Sequence, residues 1–116
     1  MNKIIIYGST PSKKNSKIMS CRGSRPLLFP SSKYTAWHKD ALKQLGGKLP
    51  IETKELILTF YAPDNRKFDL TNKAESIMDT LVDAGLISDD NYSVISDLHL
   101  KFGGVEKESP RCEIEW

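Results

Sequence analysis

Cysteine, histidine and long apolar runs are all scarce in this 116-residue chain. Its two cysteines, Cys21 and Cys112, form no Cys-x-x-Cys pair and have no histidine beside them. That argues against structural zinc and against a disulfide-dense scaffold. One bridge is the most they can make, and the expectation is reduced thiols in the cytoplasm. Apolar runs stop after a few residues, as at Ile4-Ile5-Ile6, far short of the ~20 a membrane span needs. The stretch after Lys3 ends at Gly8, too short for a secretory leader. Acid is scarce in one part only. Residues 1–50 carry ten Lys and Arg against the single acid Asp40, whereas residues 51–116 carry seven basic and fourteen acidic residues. The net charge of +2 therefore averages a basic part and an acidic part. Such asymmetry points to a polyanion partner for the basic part, or to a solvated face with none.

What is present is enough for one domain, residues 1–116, with a hydrophobic core. Met1–Gly8 reads as a strand rich in isoleucine. A polar loop follows. Ile18–Phe29 reads either as a hairpin closed around Arg22-Gly23-Ser24 or as an irregular flap. A helix begins at Ser31 or Ser32, with Tyr34, Trp37, Ala41, Leu42 and Leu45 at helical spacing, and Gly46-Gly47 stops it. Lys54–Ala62 reads as a strand apolar on both faces, hence central. A second helix spans Thr71–Ala84, with Ala74, Ile77, Met78, Leu81 and Val82 as its buried stripe and Gly85 as a left-handed stop. Val94–Phe102 and Arg111–Trp116 read as strands joined through a turn begun by Gly103-Gly104.

The order β-α-β-α-β-β predicts an α+β fold: a mixed four-stranded sheet with two helices on one face, the last two strands antiparallel. The other face would then be bare, although Lys54–Ala62 is apolar on both sides. A dimer covering that face is the expectation that follows from the mismatch.

Acidic residues gather around the second helix. Asp69 precedes it, and Asn72, Glu75 and Asp79 follow along one side. Ser88-Asp89-Asp90 adds two carboxylates in a loop. Taken singly, Asp69 reads equally as a helix cap, Glu75 and Asp79 as solvated flank, and Asp89-Asp90 as a turn. His38 and His99 read as structural or surface residues. Taken together, clustered carboxylates repel unless a cation lies among them, and all-oxygen ligands suit Mg²⁺ or Mn²⁺.

In sequence, Asn65-Arg66-Lys67-Phe68-Asp69-Leu70-Thr71-Asn72, then Asp79-Thr80-Leu81, then Ala84-Gly85-Leu86-Ile87-Ser88-Asp89-Asp90 resemble the RusA family of Holliday junction resolvases, found in bacteria and their phages. Pro11-Ser12-Lys13-Lys14-Asn15-Ser16, Tyr34-Thr35-Ala36-Trp37 and Pro110-Arg111-Cys112-Glu113-Ile114 are similar to other parts of that family's pattern. The resemblance implies a homodimeric, Mg²⁺-dependent endonuclease that nicks four-way DNA junctions symmetrically. It maps the family's first catalytic carboxylate onto Asp69 and its last onto Asp90. Thr71 stands where the family has a second essential Asp, and Glu75 where it has a catalytic Lys. Glu75 is the expected replacement ligand, with Asp79 as a second candidate. Lys13, Lys14, Asn15, Lys17, Arg22, Arg25, Arg66, Lys67 and Lys73 are the expected DNA contacts. The alternatives are a branched-DNA-binding dimer without activity and a small scaffolding domain.

Overall fold

The computed structural model describes residues 2–12, 17–22, 25–30 and 32–116. Its elements run β1 (Lys3–Tyr7), β2 (Lys17–Arg22), β3 (Arg25–Pro30), α1 (Ser32–Leu45), β4 (Glu55–Ala62), α2 (Leu70–Asp83), β5 (Asp97–Val105) and β6 (Arg111–Glu115). Four strands form a mixed sheet in the order β1-β6-β4-β5. β6 runs antiparallel to both neighbours, and β4 pairs parallel with β5. The expected α+β architecture is therefore present.

The segment left open between hairpin and flap is a hairpin. β2 and β3 pair antiparallel from Lys17↔Pro30 to Arg22↔Arg25 as a separate two-stranded sheet. The element order thus gains two strands over the one read from the sequence. β5 and β6 do run in opposite senses, but they do not pair, because β4 lies between them.

Register places Ile4, Ile6, Leu56, Leu58, Phe60, Cys112 and Ile114 on one face of the sheet. All are buried in one core with Tyr34, Trp37, Ala41 and Leu45 of α1 and Ala74, Ile77, Met78 and Leu81 of α2. Both helices therefore pack on that face, as the two apolar stripes predict. Each fully buried Leu or Phe contributes about 1.5–3 kcal/mol. The helices are tied together through His38, whose Nδ1 lies 3.0 Å from Thr80 Oγ1 and whose Nε2 lies 3.0 Å from Asp83 Oδ2. The structural reading of His38 holds. Cys112 is a buried free thiol, and desolvation pushes its pKa far up.

α2 ends as its sequence predicts. Gly85 has φ +76°, Leu86 N–H donates to Leu81 O at 3.0 Å, and Gly85 N–H donates to Val82 O at 2.9 Å. This glycine-terminated motif buries Leu86 and Ile87 beneath the helix end.

The second face differs from expectation. Ile57, Thr59 and Tyr61 of β4 are only half-buried there, but their register partners on β6 and β5 are Glu115 and His99, Glu113 and Lys101, and Arg111 and Gly104. Glu113 bonds Lys3 at 2.9 Å and Arg111 at 2.8 Å, and the Arg111 guanidinium lies 4.0 Å over the Tyr61 ring. The face is a charged, ion-paired surface, so the apolar mismatch gives no reason for a dimer. Neighbouring strands decide this, and β4 read alone does not show them.

The Lys3 and Arg111 hydrogen bonds hold the Glu113 carboxyl below the usual carboxylate range, the Lys3 bond first. A lowered folded pKa adds stability above the unfolded value of about 4.3, lost as pH falls through the folded one. Glu113→Gln is thus expected to flatten the acid limb of a stability-versus-pH curve measured by urea unfolding. Parallel acid limbs in the two proteins would reject the assignment.

Two boundaries shift. β5 begins at Asp97 rather than Val94, because Asn91 closes a turn first: its carbonyl accepts from Ile95 N–H at 3.0 Å and its side chain from Ser93 N–H at 2.9 Å. β5 also runs through Gly103-Gly104, which were expected to turn. The register slips there, from Phe60↔Phe102 to Tyr61↔Gly104, leaving Gly103 as the extra residue of a bulge. No helix among the described residues is long and apolar enough to cross a membrane.

Candidate functional site

The loop from β4 to α2 separates two open grooves. Asp64 starts it as a turn: its Oδ1 accepts from Arg66 N–H at 3.0 Å, and its carboxylate pairs with the Arg66 guanidinium. The Arg66 side-chain bond, then its backbone bond, hold the Asp64 pKa below the usual carboxylate value. Phe68 follows. Its ring meets Phe102 edge-on at 5.9 Å and carries the Lys73 ammonium 4.4 Å over its face.

The groove on the Phe102 side spans about 760 Å³ and includes Asp69, Asn72, Lys67 and Val105 in its lining. Asp69 occupies the N-cap position of α2 with extended backbone, φ −91° and ψ 126°, yet its side chain makes no cap hydrogen bond. Its Oδ2 accepts from Asn72 Nδ2 at 3.3 Å instead. The side chain therefore makes no cap hydrogen bond to the helix backbone, and an exposed carboxylate is left at the groove wall. The groove on the Lys73 side, about 450 Å³, is lined by Ser9–Ser12 and by Lys33, Arg66, Lys67 and Lys73. Ser76 Oγ donates to Pro11 O at 2.7 Å, which pins the Ser9–Ser12 segment to α2.

The remaining expected residues lie elsewhere. Glu75 and Thr71 are exposed on α2, and Asp79 is half-buried farther along it. Asp90 is exposed beyond the far end of α2. Its N–H donates to Asp89 Oδ1 at 2.7 Å, so Asp89 does the turn-forming work. Leu86 O accepts from Ile51 N–H at 2.8 Å and Ser96 N–H donates to Lys54 O at 2.9 Å, so the segment holding Asp90 is anchored near the start of β4, whereas Asp69 follows the end of β4 and opens α2. One chain does not gather Asp69, Glu75 and Asp90 around one ion. Lys17 opens β2, and Arg22 and Arg25 pair where β2 meets β3. Lys13, Lys14 and Asn15 lie outside the described residues.

Among the described residues, the group whose ligand atoms fall within 4.8 Å of one another is Glu55, Asp97 and His99, which could hold a metal ion. Glu55 and Asp97 are register partners across β4 and β5, and Asp97 and His99 share a face two residues apart. His99 Nε2 lies 3.4 Å from Glu55 and 3.1 Å from Asp97. All three are exposed. Sequence reading missed the group because it needs a parallel pairing across forty residues. The Asp-x-His alternation at 97–99 was its only local signal. In comparisons with known proteins, no family model and no curated protein matches the chain.

Proposed function

We propose that the chain acts as a RusA-like, Mg²⁺-dependent endonuclease on four-way DNA junctions, working as a homodimer. The observation that carries this reading is the pair of grooves either side of Phe68, one lined by Lys33 and Lys73, the other by the Asp69 carboxylate, with Arg66 and Lys67 lining both. Both grooves are open, which suits a backbone running across the surface. Phosphate contacts of this kind orient a duplex without reading its sequence and weaken with salt. The Asp69–Asp90 motif supplies the rest of the argument.

The ligand set implied by the motif does not fit one ion within one chain, so a single chain is expected to bind DNA without cutting it. A two-fold dimer is the arrangement that can bring Asp69 of one chain to Asp90 of the other. Mg²⁺, or Mn²⁺ in its place, would contribute Lewis-acid charge at such a site.

A second reading is a dimer that binds junctions and no longer cuts. Thr71 and Glu75 favour it, since both are exposed and neither lines a groove. A synthetic four-way junction, assayed with Mg²⁺ and with EDTA against linear duplex, separates the two. Paired symmetric nicks that need Mg²⁺ support the enzyme. Junction-selective binding without nicks supports the second reading. Equal binding to junction and duplex would reject both. Glu75→Gln should abolish nicking if Glu75 replaces the missing carboxylate; undiminished nicking removes it from the ligand set.

A further inference from the structure

The groove on the Lys73 side has an unbalanced charge. Four cations line it, Lys33, Arg66, Lys67 and Lys73, against one carboxylate, Asp64. That carboxylate is already engaged, accepting from Arg66 Nε at 3.1 Å and pairing with Arg66 Nη2 at 3.1 Å. Lys73 is the least solvated of the four. Its ammonium donates to Thr10 O and packs over Phe68. Burial first, then the nearby Lys33 and Arg66 charges, push its pKa below the usual lysine value. An ammonium has three donors, and Thr10 O takes one.

A second observation points to the same place. Thr10 is 4% exposed, and its Oγ1 has no hydrogen-bond partner among the described residues. Buried hydroxyls are nearly always paired, and an orphan is costly. Thr10 lines this groove and also a small adjoining void of about 10 Å³ beside Lys73. Repelling cations with spare donors, next to an orphaned hydroxyl, describe a site short of one anion with several acceptor oxygens.

We propose that this groove is a preformed phosphate subsite in which Lys73, with Lys33 and Arg66, seats one nucleic-acid backbone phosphate across Phe68 from the groove that Asp69 lines. The bearer of the phosphate rests on the junction-nuclease reading; the anion site does not. Lys73 then supplies, from a different helix position, positive charge that the family pattern would place where Glu75 stands. Held on Thr10 O and Phe68, the ammonium is oriented before the phosphate arrives, so little ordering entropy is spent on binding.

Two measurements on the full chain test this. In the first, inorganic phosphate is titrated at constant ionic strength against chloride, followed by NMR shifts of Thr10, Lys33, Arg66 and Lys73. Saturating shifts at these residues are expected in the wild type and in Lys73→Arg, and their loss in Lys73→Met. In the second, four-way junction binding is measured in EDTA over a range of salt. Lys73→Met should weaken binding roughly tenfold and reduce the salt slope by about 1, while Lys73→Arg should keep the slope. Thermal melts of both variants serve as the control for a kept fold. Wild-type phosphate shifts, affinity and slope in Lys73→Met would overturn the subsite even if the junction is cut. Lys73-dependent phosphate shifts in a protein with no junction preference would uphold the subsite and remove the nuclease reading.

Discussion

Asp69→Asn is expected to lower junction nicking by roughly a hundredfold or more, while junction binding in EDTA stays within about twofold of wild type. The asparagine keeps the shape and can still pair with Asn72, whose Nδ2 lies 3.3 Å from the Asp69 carboxylate. The charge at the groove wall is removed, while Asp69 makes no side-chain cap hydrogen bond that the change would break and is itself exposed. Asp90→Asn should behave the same way, because Asp89 makes the turn and the Asp90 carboxylate is exposed. The geometry adds a sharper test. Asp69 follows the end of β4 and the Asp90 segment is anchored near its start, so a site containing both joins two chains. Mixing Asp69→Asn with Asp90→Asn protein should then restore single nicks through the one intact site of each mixed dimer, without paired cutting. Strand-specific labels on the junction would show this. If the mixture stays as inactive as either variant alone, the shared site is wrong. If either variant alone nicks at the wild-type rate, that carboxylate has no part in cutting.

Gly103→Ala is expected to destabilise the fold by about 2 kcal/mol, read as a lower urea midpoint with an unchanged slope. A Cβ at Gly103 would sit 2.6 Å from Tyr61 Cε1 and 2.9 Å from Thr59 Cγ2. Tyr61 has little room to yield, since Arg111 lies 4.0 Å over its ring and is itself held by Glu113 and by Ser109 O. Adding Tyr61→Ala to Gly103→Ala should recover part of the loss, giving a coupling energy between the two sites. Strictly additive effects would show that the close approach to Tyr61 is not the cause. Gly104 carries a separate constraint, φ +129°, so its replacement tests backbone strain rather than packing.

The helices and the core were the most legible part of the sequence. Helical spacing marks Tyr34, Trp37, Ala41, Leu42 and Leu45 in α1, and Ala74, Ile77, Met78, Leu81 and Val82 in α2; all are buried except Leu42 and Val82, which are half-buried. Gly85 marks the end of α2 because an L-residue is strained at its positive φ. The strand ends were less legible. Val94 and Ile95 are β-branched and read as strand, but the Asn91 turn claims their N–H groups. Gly103-Gly104 read as a turn, but the second face of the sheet needs a residue without a side chain under Tyr61.

For the site, the order of residues alone shows which positions carry charge, the basic and acidic division of the chain, and the Asp69–Asp90 motif. It also determined the two apolar stripes and hence the fold class, because local periodicity is enough to set which side of an element is buried. The packed chain sets which charges meet. It anchors Asp90 near the start of β4 and Asp69 after its end, brings Lys33 and Lys73 into one groove, and joins Glu55 to Asp97 and His99 across two strands. An ion or a phosphate is held by side chains within a few ångströms of one another. Such proximity between residues forty or more apart depends on strand order and register, which local spacing does not encode.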